Sequence, residues 1–332
     1  MKAIIPVAGA GTKLRPHTYT QPKALIPLAG KTILSIIIDQ LREAGIDEFI
    51  FIVGYLGDKI RDYIDEKYPG LNAHFVNQSE RQGIGHAILL TRHLVGDDEV
   101  FIVLGDTICE YQVKDVLEMP NSAIGIKRVD DPRNFGVAEM DEEGLIEKVV
   151  EKPQIPKSNM ALVGVYKIRE SLVLFQCLED NVRNLVRNRG QFTITDAIEC
   201  MLLKGVKFQS FKVQNWFDCG RKETLLESNA TLLKKFGGTI SEEHSFENTI
   251  IVPPVSIAPG CDIRNSIIGP NVTIGEKTNI NYSIIKDSII GAFADLYDIV
   301  LTNSLIGSDT DVKGESRSLN IGDNTEIDLG ES

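Results

Sequence analysis

Short apolar runs alternate with helically spaced apolar residues over the first 236 residues or so of the chain. The runs predict strands at residues 2–7, 48–53, 100–104, 123–127, 136–140, 146–150 and 162–168. Apolar residues three or four apart predict helices at residues 32–44, 58–67, 169–187 and 195–203. This alternation is typical of an α/β fold, a mostly parallel sheet covered by helices, in which ligands bind at the carboxyl ends of the strands.

A different pattern begins at about residue 251, where aliphatic residues recur every five or six positions. The phrase Asn/Asp-Ser-Ile/Leu-Ile-Gly also recurs, at residues 265–269, 287–291 and 303–307. One inward aliphatic residue per short strand predicts a left-handed parallel β-helix of hexapeptide repeats, with coils of about 16 to 18 residues. An ordinary β-sandwich is the alternative. We therefore expect a first domain at 1–236, a linker at 237–250 and the β-helix at 251–330.

The composition is that of a folded globular protein, with 42% hydrophobic and 25% charged residues. A formal net charge of −12 and the lack of a basic patch weigh against DNA or RNA as a partner. No apolar run approaches the ~18 residues of a membrane span, so we expect a cytoplasmic protein without a membrane partner. Since no C-x-x-C occurs, we expect reduced thiols rather than a zinc site or disulfide framework. The cysteines are Cys109, Cys177, Cys200, Cys219 and Cys261.

A glycine loop follows the first predicted strand, with the sequence AGAGTKLRP at residues 8–16. Glycines at this point let backbone amides approach a polyphosphate, and the Lys and Arg side chains add positive charge. The dinucleotide-binding fingerprint fails, because a third glycine is required where Leu14 stands. A P-loop ending at Gly30-Lys31-Thr32 fails as well, because position 25 is leucine.

Residues 21–28 (QPKALIPL) follow this loop, and together the two segments resemble the motifs of sugar-1-phosphate nucleotidyltransferases. Further segments resemble that family in order and spacing. They lie at residues 78–87, 104–107 (LGDT), 134–137 (NFGV), 151–153 (EKP), 162–166 (LVGVY) and 216–220 (WFDCG). The resemblance covers nearly the whole chain, including the β-helix, and is nearest to long-form glucose-1-phosphate thymidylyltransferases. It implies a Rossmann-like first domain.

The resemblance implies a reaction in which an NTP and a sugar 1-phosphate give an NDP-sugar and pyrophosphate. The sugar phosphate is already ionised at pH 7, so catalysis rests on positioning and charge neutralisation rather than on a general base. Asp106 and Asp218 are the implied ligands of Mg²⁺, the expected cofactor. The implied catalytic residues are Lys13, Lys23, Asp106, Lys152 and Asp218. Position 13 usually carries Arg in this family, and lysine keeps the charge but lacks the bidentate fork.

The remaining implied site residues fall into two groups. The nucleotide-binding group comprises Ala8, Gly9, Gly11, Thr12, Lys13, Gln78 and Gly83. The group implied to bind the sugar phosphate comprises Gly136, Glu151, Lys152, Gly164, Tyr166 and Trp216. His86 is interpreted as a residue that starts a helix rather than as a catalyst.

The resemblance favours dTTP or UTP with glucose 1-phosphate, because pyrimidine-specific members tend to carry Gly-Asp at the metal motif, as Gly105-Asp106 does here. Mannose-1-phosphate guanylyltransferase specificity and a non-catalytic nucleotide-sugar sensor are the alternatives. A second, acetyltransferase activity is disfavoured, because the only histidine of the tail, His244, precedes the predicted coils. A β-helix flank is flat and stackable, so we expect a homo-oligomer.

Overall fold

The computed structural model describes residues 1–314, which divide into two compact units, Met1–Ser228 and the chain from Asn229 onward. The strands of the first unit are β1 (Lys2–Pro6), β2 (Pro27–Leu28), β3 (Lys31–Thr32), β4 (Glu48–Val53), β5 (Asn72–Asn77), β6 (Val100–Val103), β7 (Thr107–Cys109), β8 (Ser122–Arg128), β9 (Gly136–Met140), β10 (Leu145–Glu151), β11 (Met160–Ile168), β12 (Phe208–Lys212) and β13 (Trp216–Asp218). The helices are α1 (Ile33–Glu43), α2 (Gly57–Lys67), α3 (Ile84–Leu89), α4 (Arg92–Val95), α5 (Val113–Glu118), α6 (Ser171–Arg183), α7 (Ile194–Leu203) and α8 (Lys222–Phe236), the last of which continues into the second unit.

Nine of these strands form one sheet within the described residues, in the order β5-β4-β1-β6-β11-β8-β12-β10-β9. The first four strands of this order are parallel, and β12 is parallel to β8. Strand β11 runs antiparallel to β6 and β8, and β10 runs antiparallel to β12 and β9. The α/β class is confirmed, and the antiparallel strands are a refinement that apolar runs alone do not specify.

Strands β1, β4 and β6 are largely buried, which matches their continuous apolar sequence, whereas β5 at the sheet edge is not. Ile4 of β1, Phe51 of β4 and Ile102 of β6 are fully buried. Helix α1 begins where predicted because Thr32 caps it: its hydroxyl accepts a hydrogen bond from the Ser35 amide at 3.0 Å. Since β1 and β6 are adjacent and parallel, the segments that follow them emerge at the same edge of the sheet.

A disulfide joins Cys177 of α6 to Cys200 of α7, with the two Cα atoms 5.8 Å apart. The expectation of free thiols is therefore wrong for this pair, while Cys109, Cys219 and Cys261 are free and buried. The sequence separation of 23 residues did not reveal the pair, because only the packing of the two helices brings the cysteines together. Because one pair of cysteines forms a disulfide, the cysteines no longer support the expected cytoplasmic location.

The second unit is built from short strands stacked in coils. These are β14 (Thr239–Ile240), β15 (His244–Glu247), β16 (Ile250–Ile251), β17 (Val255–Ile257), β18 (Cys261–Arg264), β19 (Ile267–Ile268), β20 (Val272–Ile274), β21 (Asn279–Asn281), β22 (Ile284–Lys286), β23 (Ile289–Ile290), β24 (Asp295–Tyr297), β25 (Val300–Thr302), β26 (Leu305–Ile306) and β27 (Asp311–Lys313). Every third strand pairs in parallel, so that the described residues form three stacks. The left-handed parallel β-helix predicted from the repeats is confirmed.

Pairing partners show the coil length directly. Ile250 pairs with Ile267, 17 positions later, and Ile284 pairs with Val300, 16 positions later. Inward aliphatic side chains such as Ile263, Ile268 and Ile285 are fully buried and form the core of the coils.

The structure differs from the expected domain boundaries. Residues 237–250, expected as a linker, contain β14 and β15, which pair in parallel with β17 and β18 and so belong to the first coil. The segment escaped the repeat pattern because polar residues occupy much of this coil. The end of the predicted β-helix, residues 315–330, lies outside the described residues.

Helices in the described part of the chain are too short or too polar to cross a lipid bilayer.

Candidate active site

A cavity of about 460 Å³ opens at the carboxyl ends of β1 and β6. Residues from six separate segments of the chain line it. They include every residue of the implied nucleotide-binding group, namely Ala8, Gly9, Gly11, Thr12, Lys13, Gln78 and Gly83, together with Lys23, Asp106 and Asp218. The structure thus places these residues around one space at the edge where such sheets bind ligands.

The glycine loop takes its shape from a left-handed residue followed by a single turn of 3₁₀ helix at Thr12–Leu14. Gly11 has φ = 59°, and a Cβ there would lie 2.8 Å from the Thr18 methyl group. The Thr18 hydroxyl donates a hydrogen bond to the Gly11 carbonyl at 2.8 Å. Only glycine meets both the conformational and the steric demand at this position. The turn directs Lys13 to the cavity wall.

Gln78 follows β5 and is held in place by two contacts. Its side-chain amide donates to the Gly83 carbonyl at 3.0 Å and lies 3.4 Å from His86 Nδ1. Gly83 has φ = 107°, and a Cβ there would come within 2.4 Å of the Phe192 carbonyl. His86 lies in α3 as expected, and the structure adds a contact through which it orients Gln78.

Asp106 and Asp218 approach each other because β7 and β13 form an antiparallel pair. Asp218 lies opposite Thr107 in this pairing, and the Cys219 amide donates to the Asp106 carbonyl at 3.3 Å. Lys23 donates to Asp106 Oδ2 at 2.8 Å. Both carboxylates line this cavity and a second one beside it.

The donor chemistry of this pair fits Mg²⁺. Hard carboxylate oxygens are the protein ligands that Mg²⁺ prefers, and it usually binds through one or two of them plus substrate phosphates. No cluster of three or more His, Cys, Asp or Glu suited to a metal occurs among the described residues. The residues present therefore suit a cation that arrives with a phosphate. Burial raises the pKa of the neighbouring Cys219 thiol to about 12, so this thiol stays protonated at neutral pH.

The second cavity, of about 670 Å³, shares Lys13, Asp106 and Asp218 with the first. The whole implied sugar-phosphate group lines it, namely Gly136, Glu151, Lys152, Gly164, Tyr166 and Trp216. The structure thus brings the two groups of implied residues into adjoining spaces, with the carboxylate pair between them.

Glu151 lies at the end of β10, and each of its two carboxylate oxygens has a polar partner. Thr195 in the first turn of α7 donates to Oε2 at 2.6 Å, and Lys152 Nζ lies 3.3 Å from Oε1. Lys152 adopts a left-handed backbone conformation, φ = 44°, while its amide donates to the Phe135 carbonyl at 3.1 Å. Such conformations are uncommon for residues other than glycine and concentrate at functional sites.

Glycine and aromatic residues complete one part of this cavity wall. A Cβ on Gly136 would lie 3.2 Å from Glu151 Oε2, so the glycine keeps space beside that carboxylate. Trp216 and Phe135 pack edge to face with ring centroids 4.7 Å apart. Tyr166 is 3% exposed, and burial raises the pKa of its hydroxyl well above the usual range.

The structure also reveals lining residues that the motifs missed. They are Arg81 in the first cavity, Arg189, Thr195 and Arg221 in the second, and Gln191 in both. Among the described residues, six cationic side chains line the two cavities against three carboxylates. For Arg189, the sequence signal was a cluster of three arginines within residues 183–189, and the spacing of this cluster matches no motif.

Comparisons with known proteins agree with this geometry. The chain is 32% identical to the low-salt glycan biosynthesis nucleotidyltransferase of Haloferax volcanii, over 99% of this chain and 100% of that protein. It is 31% identical to a glucose-1-phosphate thymidylyltransferase of Streptomyces antibioticus, over 99% of both chains.

A solved structure of UDP-glucose pyrophosphorylase complexed with UDP-glucose superposes with a TM-score of 0.61 and 25% identity, over 70% of this chain and 98% of that one. The family model described as nucleotidyl transferase matches residues 2–235, which is more than half of the chain. With the glycine loop, the paired carboxylates and the adjoining cavities in place, the resemblance drawn from the motifs is confirmed: this chain belongs to the nucleotidyl transferase family.

Proposed function

We propose that this protein is a Mg²⁺-dependent enzyme that transfers a nucleotidyl group from an NTP to a sugar 1-phosphate, releasing pyrophosphate. The observation that carries the proposal is the position of Asp106 and Asp218 where the two cavities adjoin. A triphosphate in the first cavity and a sugar phosphate in the second would meet at this pair. Relatives named as thymidylyl- and uridylyltransferases support the same reaction class.

The residues of the chain neutralise the charge of the phosphates and hold the two substrates in position. A phosphate oxygen of the sugar attacks the α-phosphorus of the NTP, and the bond from that phosphorus to the pyrophosphate oxygen breaks in line. Lys13 and the amides of the glycine loop bind the triphosphate, and Lys23 neutralises charge at the carboxylate pair. Lys152 binds the sugar phosphate while Glu151 accepts hydrogen bonds from sugar hydroxyls. Holding both reactants in attack geometry supplies a large part of the rate enhancement.

Asp106 and Asp218 would hold the Mg²⁺ ion, which supplies positive charge to the phosphate oxygens when bound. Lys23 contacts Asp106 in the structure, so its ammonium group must share or yield that oxygen when the cation binds. The lysine then lies close enough to contact a phosphate in the same space.

We propose dTTP or UTP with glucose 1-phosphate as the substrates. Gln78 is buried and oriented by Gly83 and His86, which suits an amide that reads the edge of a pyrimidine. The Streptomyces antibioticus relative is named a glucose-1-phosphate thymidylyltransferase, and a Haloferax volcanii relative, 30% identical over 70% of this chain, is named a UTP–glucose-1-phosphate uridylyltransferase. A methyl group alone discriminates by only about 1–3 kcal/mol, so both nucleotides belong in the test.

The test is pyrophosphate release with Mg²⁺ over a matrix of dTTP, UTP, ATP, CTP and GTP against the 1-phosphates of glucose, mannose, galactose and N-acetylglucosamine. We expect the highest kcat/KM for a pyrimidine nucleotide with glucose 1-phosphate. Productive turnover of GTP with mannose 1-phosphate would overturn the specificity. Silence across the matrix, combined with tight binding of an NDP-sugar, would overturn the enzymatic proposal in favour of a sensor.

A further inference from the structure

The side-chain amide of Gln78 is held in one orientation by the start of α3. Its nitrogen donates to the Gly83 carbonyl at 3.0 Å and lies 3.4 Å from His86 Nδ1. A carbonyl oxygen can only accept a hydrogen bond, so the amide atom that faces Gly83 is Nε2 and not Oε1. A flipped amide would place its own oxygen against the Gly83 oxygen.

The contact with Gln78 also determines where His86 carries its proton. An amide nitrogen can only donate, so His86 Nδ1 accepts, and the proton of the neutral imidazole lies on Nε2. Both hydrogens of the Gln78 amide are then engaged, one by Gly83 and one by His86. His86 thus adds a second acceptor that opposes a flip of this amide.

Backbone contacts hold the two acceptors in place. The Ala87 amide donates to the Gly83 carbonyl at 3.1 Å, so this carbonyl belongs to the first turn of α3, which also carries His86. The Gly85 amide donates to the Phe192 carbonyl at 2.9 Å and ties the start of α3 to the segment before α7. The Gly83 oxygen and the His86 ring are therefore parts of one anchored turn.

The amide oxygen is the polar atom of Gln78 that remains for a ligand. Gln78 lines the first cavity, and its Oε1 has no hydrogen-bond partner within residues 1–314. His86 belongs to the wall of neither cavity described above. It therefore acts on a ligand in these cavities only through Gln78.

We infer that His86 is a positioning residue that sets the base preference of the first cavity. The inference rests on the proposed function, because it concerns the base of the NTP in this cavity. With both of its hydrogens engaged, the Gln78 amide presents an acceptor. Unpaired bases are commonly read on the edge that carries the ring nitrogen. Uracil and thymine carry an N–H at N3, which can donate to Gln78 Oε1.

Cytosine is the competitor that this arrangement rejects. It has the ring size of uracil, but its N3 carries a lone pair and its C4 an amino group. In the position that uracil takes, cytosine N3 would face the Gln78 oxygen, acceptor against acceptor. Only a flipped amide offers N3 a hydrogen, and Gly83 and His86 both oppose the flip. A buried polar atom left unpaired makes the mismatched ligand bind more weakly.

Equilibrium binding of UTP and CTP to the full chain with Mg²⁺, measured by isothermal titration calorimetry, tests the inference without turnover. We expect the wild type to bind UTP about tenfold or more tightly than CTP. His86→Phe keeps a flat ring but removes the acceptor, and should lower this preference about fivefold. His86→Asn retains an acceptor oxygen near the position of Nδ1 and should keep the preference. His93→Phe, at an exposed position of α4 outside both cavities, is the matched control.

A double variant shows whether His86 acts through the Gln78 amide. Methionine has about the length of glutamine and no amide, so His86→Phe should leave the UTP:CTP ratio unchanged in a Gln78→Met chain. A merely structural role of His86 would weaken the binding of both nucleotides by the same factor and leave the ratio unchanged in the wild-type background as well.

An unchanged ratio in His86→Phe would therefore overturn the inference. So would a wild type that binds UTP and CTP equally, or a His86→Asn chain that loses as much preference as His86→Phe, since that loss would be one of ring shape. The proposed function fails separately: a chain that prefers UTP in this way but releases no pyrophosphate with any substrate pair supports the role of His86 and contradicts the reaction.

Discussion

Asp106 and Asp218 are the residues on which the proposed chemistry depends most. We expect Asp106→Asn and Asp218→Asn each to lower kcat by about 10²-fold or more, because each removes one anionic oxygen ligand while keeping the side-chain shape. Steady-state pyrophosphate release at saturating Mg²⁺ measures the effect. Asp115→Asn, an exposed position on α5 outside both cavities, is the matched control.

The fold should survive both substitutions, since Asp106 is half-exposed and its replacement keeps a polar group in place. Melting temperatures within a few degrees of wild type would show this. Full activity in both variants would refute the metal assignment.

Substitutions of Lys13 test whether its side chain contacts the triphosphate. We expect Lys13→Arg to keep or raise kcat/KM for the NTP, because arginine retains the charge and adds a bidentate fork. Lys13→Gln should lower kcat/KM about tenfold or more, because it removes a cation from the phosphate-binding wall. If initial-rate kinetics show Lys13→Gln to be as active as wild type, the residue makes no such contact.

The order and spacing of the family motifs selected most of the polar residues that line the two cavities. Two of these motifs, at residues 8–16 and 104–107, follow strands that the apolar runs predict. The motifs missed Arg189 and Gln191, which lie in an irregular segment between two helices. They also missed Thr195, whose hydroxyl meets Glu151, 44 positions away, only because α7 packs beside β10. Contacts of that kind depend on tertiary packing and leave no local pattern.

Helices α6 and α7 form the element pair for which the disulfide matters. We expect Cys177→Ser/Cys200→Ser to lower the free energy of unfolding by about 2–4 kcal/mol, because the bond constrains the unfolded chain between the two positions. Urea denaturation of the variant and the wild type, in non-reducing buffer, measures the difference. Cys261→Ser, a free buried cysteine in the β-helix, controls for the loss of a thiol.

The thiol count gives an independent check. The denatured wild type should expose three reactive thiols without reductant and five with it. Five reactive thiols without reductant would show that the disulfide is absent in solution.

Elements with strong apolar patterns were predicted to within a few residues, whereas short or polar ones were not. Strand β5 has the sequence NAHFVN and lies at the sheet edge, where half of its residues need not be apolar. Strands β7 and β13 are three residues long, too short for any periodicity to appear. The apolar pattern does not predict strand direction either, because the antiparallel strand β11 is as apolar as β6, which belongs to the parallel part of the sheet.

At the scale of the whole molecule, the repeat phrase of the second unit has a structural explanation. Asn265, Asp287 and Asn303 each begin one copy of the phrase and adopt φ values of 49°, 48° and 50°. Asn and Asp tolerate this left-handed conformation better than most residues, which suits them to the corners between strands. The corners and the inward aliphatic residues together set the period from which the β-helix was predicted.

The walls of the two cavities differ in charge from the molecule as a whole. The chain as a whole is strongly acidic, yet cationic side chains outnumber carboxylates two to one on the walls of the two cavities. Cavities with cationic walls attract anionic ligands, although the negative net charge of the whole molecule repels them. The negative net charge of the whole chain is therefore compatible with phosphorylated substrates.

The regular length of the coils determines which deletions and duplications the β-helix can accommodate. Each coil pairs only with the coils before and after it, at intervals of 16 or 17 residues. A deletion or duplication of one whole coil preserves every inward and outward position, whereas a deletion of one residue within a strand turns the inward row outward. The length of the β-helix can therefore change in steps of one coil while the first unit keeps its own sequence and its two cavities.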